Sequence, residues 1–178
     1  MMPRFLDVEA SSLSMDSYPI EIAWSDRFGD IESHLINPDG VKEWTDWDYN
    51  AQQMHGISRK QCCEEGLLPD ELCRRMNQSL KPDEIIYADG GGFDKNWVDV
   101  LYGEGTVQGY TPFRIVHSDT VLLPLLATSA GDAKKRWQLF QNLQLQARRL
   151  VGNTHRAKPD VQYLIELWKL CLSMSKAL

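Results

Sequence analysis

Short runs in which apolar and polar positions alternate mark the first third of the chain. Arg4 to Ala10, Tyr18 to Trp24 and Ile31 to Ile36 read as strands, separated by Ser-rich and Gly/Asp-containing turns. A three-stranded meander is the simplest arrangement for them. Between Trp44 and Leu80 the spacing changes towards helix, with Pro69-Asp70-Glu71 as a helix start ahead of Leu72, Met76 and Leu80. Asp83 to Ala88 supplies a fourth strand, Phe93 to Tyr102 a short helix and Phe113 to Val116 a fifth strand, followed by an apolar segment from Thr120 to Ala127. Trp137, Phe140, Leu143, Ala147, Leu150 and Val151 recur at helical spacing from Ala133 to Val151, and Tyr163, Leu167, Leu170 and Met174 do so from Pro159 onward. Strands first, with helices to cover their faces, predict one layered α/β domain over residues 1–178, built on a mixed sheet. No internal repeat, low-complexity tract or linker interrupts it.

The first strand carries unusual chemistry. In Phe5-Leu6-Asp7-Val8-Glu9-Ala10 the period of two sends Asp7 and Glu9 to one face and Leu6, Val8 and Ala10 to the other. An isolated Asp-x-Glu also suits the solvated face of an edge strand. A strand that opens an α/β domain usually lies centrally, however, where neighbouring acids resist desolvation unless a cation holds them. Hard oxygen ligands favour Mg²⁺ or Mn²⁺ over zinc. Ser11-Ser12-Leu13 then forms a polar turn at the strand's C-terminal end, where such sheets receive ligands.

A second cluster lies near the end of the sequence, in Gly152-Asn153-Thr154-His155-Arg156-Ala157-Lys158-Pro159-Asp160. Pro159 is compatible with helix only in a first turn, which puts Asp160 at a helix N-terminus, where the helix dipole favours its ionised form. His155 precedes it on the connection, and an unperturbed imidazole pKa near ~6.5 suits a general base. Taken alone, both also read as ordinary surface and first-turn residues.

Composition narrows the function. With 178 residues, 43% of them apolar, the chain suits one sizeable core, and a formal charge of −6 argues against a protein that simply coats nucleic acid. The positive charge is local. Lys134, Lys135, Arg136, Arg148, Arg149, Arg156 and Lys158 lie in a stretch from Ala133 to Lys158 without Asp or Glu, which suits either phosphates entering a site or a solvated helix face. Cys62, Cys63, Cys73 and Cys171 include no Cys-x-x-Cys spacing and read as reduced thiols. Without a signal peptide or an apolar stretch of about 20 residues, the expectation is a cytoplasmic protein with no membrane association.

Taken together, Asp7-Val8-Glu9, Phe93-Asp94 and His155-Arg156-Ala157-Lys158-Pro159-Asp160 resemble the three motifs of the DnaQ-like (DEDDh) family of 3′-to-5′ exonucleases, in order and in spacing. Met54-His55-Gly56-Ile57-Ser58 is similar to the family's His-Gly-Ile-Thr-type stretch. The resemblance implies a ribonuclease H-like fold, with a mixed five-stranded sheet flanked by helices. Two departures stand out. Family members usually have His-Asn-x-x-Phe-Asp, whereas this chain has Asp89-Gly90-Gly91-Gly92-Phe93-Asp94, with Asp89 either a substitute polar anchor or, the favoured reading, a turn residue. Ala10-Ser11-Ser12-Leu13 stands where relatives often have Thr-Thr-Gly-Leu after the Glu.

What the resemblance implies is a metal-dependent exonuclease that removes nucleoside 5′-monophosphates from the 3′ end of single-stranded RNA or DNA. Asp7, Glu9, Asp94 and Asp160 would hold two ions, Mg²⁺ or Mn²⁺, with Asp7 bridging them and His155 as general base. Ser11, Ser12 and Leu13 would lie against the last nucleotide. His55 would contact it too, unless it is a packed or capping residue. Homodimerisation is expected only by analogy. Three other readings compete: a domain of the same fold that binds nucleic acid or protein with a vestigial site, a small-molecule phosphoesterase, and an interaction surface formed by Trp44, Trp47, Trp97, Trp137 and Trp168.

Overall fold

A computed structural model describes residues 1–127, 132–152 and 155–176. The chain opens with the expected meander: β1 (Leu6–Ala10), β2 (Pro19–Ser25) and β3 (Ile31–Leu35), paired antiparallel in that order. Three helices follow, α1 (Tyr49–His55), α2 (Arg59–Glu65) and α3 (Pro69–Ser79). Next come β4 (Ile85–Ala88), α4 (Gly92–Gly105), β5 (Arg114–His117) and α5 (Asp119–Leu122), which runs into a 3₁₀ turn over Leu123–Leu126. The long helices α6 (Ala133–Val151) and α7 (Ala157–Lys176) complete the described chain.

Local chemistry accounts for the helix boundaries. The Asp48 carboxylate caps α1 by accepting from the Asn50 N–H at 2.7 Å, and Gly56 ends that helix in the left-handed conformation that glycine adopts without strain. Ser58 caps α2 through the Gln61 N–H, and Asp132 caps α6 through the Lys135 N–H. Pro69 begins α3 as its sequence position predicts. In α7, Pro159 is the third helical residue, inside the first turn, where its missing N–H has no helical acceptor to lose.

The sheet differs from the expected single array of five strands. Strands β1–β3 form one antiparallel sheet, while β4 and β5 pair in parallel as a second. An isolated bridge between Phe5 and Tyr87 joins them, with the Tyr87 N–H donating to the Arg4 carbonyl at 2.9 Å. Across that bridge the strands lie in the order β3-β2-β1-β4-β5. The Val8 N–H, a little further along β1, acts on the Asp94 carboxylate from the start of α4 and favours its ionised form.

Each face of the first sheet is covered. Leu6, Val8, Ile20, Ile22 and Trp24 join Leu72, Cys73 and Met76 of α3 and Val98, Leu101 and Tyr102 of α4 in one core. Ala23, on the opposite face, joins Phe140, Leu143 and Ala147 of α6 and Val161, Leu164 and Ile165 of α7 in a second. This double cover explains why all seven residues of β2 are buried. The tryptophans mostly pack: Trp24 and Trp44 are buried, and Trp47, Trp97 and Trp168 line the cores, whereas Trp137 is 48% exposed. Among the described residues, no helix is long and apolar enough to cross a membrane.

Phe140 is fully enclosed between α6 and α7, so Phe140→Ala should destabilise the fold by about 3–5 kcal/mol. Phe28→Ala, at an exposed position, should cost less than about 0.5 kcal/mol. Urea denaturation of the two variants checks both values.

Candidate functional site

The strand period works as anticipated on β1. Leu6, Val8 and Ala10 are buried in the cores while Asp7 and Glu9 share the opposite face, half-buried. Helix α7 crosses that face, and its first turn delivers Asp160. One carboxylate oxygen from each of Asp7, Glu9 and Asp160 lies within 4.8 Å of the other two. Residues more than 150 positions apart in sequence are thus brought to one point on the first strand.

Asp94 reaches the same region from α4 but is held differently. It is 2% exposed, and its Oδ2 accepts from the Gly90 N–H at 2.9 Å while the Val8 N–H also donates to the carboxylate. The glycine run that replaces the expected His-Asn has a structural purpose here. A side chain at Gly90 would collide with the Asp94 carboxylate, and Gly91 adopts φ 63°, ψ −122°, a conformation open chiefly to glycine. Asp89 makes no cap for this helix. Its surface is exposed, but the protein packed around its carboxyl and then Asp160 raise it above the usual carboxylate range, with Arg148 and His117 opposing.

His155 is exposed and adopts φ 71°, left-handed for a non-glycine residue. That turn aims its N–H at Asp160 Oδ2 (2.8 Å), and the Arg156 N–H reaches the same oxygen at 3.2 Å. The neighbouring Asn153 and Thr154 lie outside the described residues.

The remaining candidate residues divide. Ser11 and Ser12 are buried, and both hydroxyls donate to Asp46 Oδ2. The same hydroxyls accept from the Tyr18 and Ser14 N–H groups, which locks the turn. Leu13 is 76% exposed at its tip. His55 is 6% exposed; its Nδ1 accepts from the Ile57 N–H at 3.0 Å, so the neutral ring carries its proton on Nε2, which has no partner among the described residues. Sequence reasoning passed over Asp46 and Glu21. Glu21 is 4% exposed and binds Arg156 through both oxygens. Its signal was available, as a lone acid inside the apolar run Ile20-Glu21-Ile22-Ala23-Trp24.

Electrostatics follow from this crowding. Burial, then the charges of Asp94, Glu9, Asp160 and Asp89, hold the Asp7 carboxyl well above the usual carboxylate range. Glu9 is pushed up to about 7, by burial first and then by Asp160 and Glu21, with Arg156 opposing. Asp94 also rises to about 7, through burial and Asp89, against the pull of its two backbone donors. At Asp160 burial outweighs the His155 and Arg156 N–H bonds, so the helix terminus does not depress this acid as its position alone predicted. Such a donor set fits a hard divalent cation, whose charge replaces the missing protons.

The sign of the resulting pH dependence is fixed. In the unfolded chain these carboxyls titrate near ~4, and in the fold Glu9 and Asp94 titrate at about 7. The folded state therefore holds more protons between those values, and metal-free stability should fall as pH rises through that window. Cations bind the deprotonated form, so Mn²⁺ should raise the melting temperature at pH 8 far more than at pH 5. At a hundredfold excess over Kd the gain is about 2.7 kcal/mol, roughly 5–10 °C. Thermal scans with Mn²⁺ and with EDTA at both pH values check this; an equal or absent shift at pH 8 contradicts the cation assignment.

No family model and no curated protein matches the chain. Solved structures do. E. coli exonuclease I in complex with a dA16 oligonucleotide aligns over 99% of this chain and 43% of its own, with TM-score 0.61 and 14% identity. The same enzyme with a 5cy-dT13 oligonucleotide aligns over 94% and 40%, with TM-score 0.61 and 15% identity. A moderately thermophilic exonuclease I from Methylocaldum szegediense aligns over 92% and 39%, with TM-score 0.57 and 14% identity. The chain thus spans about two-fifths of the length of the exonuclease I chains it matches, and at these identities the likeness is one of fold: a mixed α/β architecture similar to that of exonuclease I.

Proposed function

We propose that the chain is a metal-dependent exonuclease that hydrolyses phosphodiester bonds from the 3′ end of single-stranded nucleic acid and releases nucleoside 5′-monophosphates. The observation that carries this reading is the convergence of Asp7, Glu9 and Asp160 within 4.8 Å at the end of β1. It is supported by the strand order across the Phe5–Tyr87 bridge, which suits a ribonuclease H-like arrangement, and by the fold likeness to exonuclease I. Solved exonuclease I structures hold single-stranded DNA, so DNA is the first substrate to try and RNA the second.

In this reading Asp7, Glu9 and Asp160 hold divalent cations, Mg²⁺ or Mn²⁺, with Asp94 completing the set for a second ion. Bound there, the cations supply Lewis-acid stabilisation of the charge that develops on the phosphate oxygens. His155, exposed on the lip of the cluster, takes the proton from the attacking water. The left-handed turn at His155 holds its backbone against Asp160, which keeps the base beside that carboxylate. Leu13, projecting from a turn locked by Asp46, packs against the terminal base. His55 Nε2–H, an unused donor, meets an acceptor on the terminal nucleotide. The basic residues of α6, with Lys158 in the first turn of α7, attract the incoming backbone.

The test is 5′-labelled single-stranded DNA and RNA incubated with Mg²⁺ or Mn²⁺. A ladder shortening from the 3′ end is expected, lost in Asp7→Ala. His155→Ala should slow turnover by about 10²–10⁴-fold while Mn²⁺ still binds. A ladder that persists in Asp7→Ala, or no cleavage of any polymer or short oligonucleotide, overturns the proposal.

A further inference from the structure

Glu21 lies outside the group of converging carboxylates, yet it is more deeply buried than the three that form it. It stands directly opposite Glu9 in the β1–β2 register. Two like charges at such a pair repel, and no packing of apolar neighbours relieves them. Each Glu21 oxygen is instead engaged by the chain that enters α7. Oε1 accepts from Arg156 Nη2 at 2.7 Å; Oε2 accepts from Arg156 Nε at 2.9 Å and from the Ala157 N–H at 3.0 Å. A planar guanidinium on a planar carboxylate fixes distance and orientation together, and the backbone bond ties the joint to the first residue of the helix.

The joint continues directly into the site. The Arg156 carbonyl accepts from the Asp160 N–H at 3.0 Å, and Asp160 Oδ2 accepts from the N–H groups of Arg156 and His155. One unbroken path therefore runs from β2 through Arg156 and Ala157 to the third converging carboxylate and to the exposed histidine. Both Glu21 oxygens are engaged in this joint, and Glu21 is not one of the three acids that converge.

We infer that Glu21 and Arg156 form a positioning clamp that sets Asp160 and His155 against Asp7 and Glu9 and so determines how tightly the site binds divalent cations. The inference rests on the exonuclease reading only for its turnover readout; cation binding tests it independently. Neither residue touches the reacting atoms. Groups that orient metal ligands typically cost 10- to 100-fold in metal affinity or activity when changed.

The experiment measures Mn²⁺ dissociation constants by titration calorimetry at a temperature well below unfolding, for the full chain, Glu21→Gln and Arg156→Lys, with folding checked by circular dichroism. Arg156→Lys keeps the charge but loses the bidentate geometry, and it serves if Glu21→Gln does not fold. Each variant should weaken Mn²⁺ binding by about tenfold or more and lower kcat with little change in KM for the oligonucleotide. Glu21→Gln combined with Arg156→Gln should cost no more than the larger single change, since both break one joint. A folded variant that melts earlier but binds Mn²⁺ with the parent's affinity shows a joint serving stability alone and overturns the inference. If the parent binds Mn²⁺ but cleaves no nucleic acid, the exonuclease reading fails while the affinities still decide the clamp.

Discussion

The repulsion among Asp7, Glu9 and Asp160, gathered within 4.8 Å beneath a helix and beside a second acid-bearing helix, is the constraint around which this structure is arranged. Carboxylates so placed disfavour their own ionisation, and each raised titration point is free energy that folding must supply from elsewhere. Two apolar cores, one on each face of the first sheet, provide it. The acids sit at the margin of both, where β1 emerges from its covering helices. A cation at that margin would reverse the balance and convert a destabilising cluster into a cross-link between β1 and α7.

Several features that look like irregularities follow from the same constraint. The two sheets meet at the Phe5–Tyr87 bridge, and the Val8 N–H further along β1 acts on the Asp94 carboxylate. The glycine run before α4 leaves space for that carboxylate and supplies one of its donors. The left-handed turn at His155 brings two N–H groups to Asp160. Glu21, facing Glu9, binds Arg156 through both oxygens, and among the described residues no Lys or Arg forms an ion pair with the converging acids. Backbone donors fix where Asp94 and Asp160 lie without adding a positive charge to them. That combination binds cations better than it binds protein side chains.

The surroundings of the cluster divide into fixed and free parts. Ser11 and Ser12 are buried and bonded to Asp46, so the turn after β1 is a rigid shelf, and Leu13 alone projects from it. His55 is enclosed with its tautomer set by the Ile57 N–H. On the other side, Asp89 and His155 stand open to solvent.

Much of this was legible in the sequence because it depends on short-range periodicity. The alternation in β1 put Asp7 and Glu9 on one face, the three opening strands and the last two helices fell close to their expected ranges, and Pro159 fixed the start of α7. Asp7, Glu9, Asp94 and Asp160 became candidates only through the joint resemblance of their motifs to those of the DnaQ-like exonucleases, and the fold gathers Asp7, Glu9 and Asp160 at one point. Tertiary structure decided the rest. That β4 meets β1 at the Phe5–Tyr87 bridge is set by a contact between residues far apart in sequence. Glu21 gave only the weak signal of one acid in an apolar run, because its partner lies 135 residues away. The helix terminus predicted an easily ionised Asp160, but burial by packing outweighs a local dipole. Sequence spacing sets which face a side chain takes; the cost of the charge it carries there is set by what the rest of the chain packs around it.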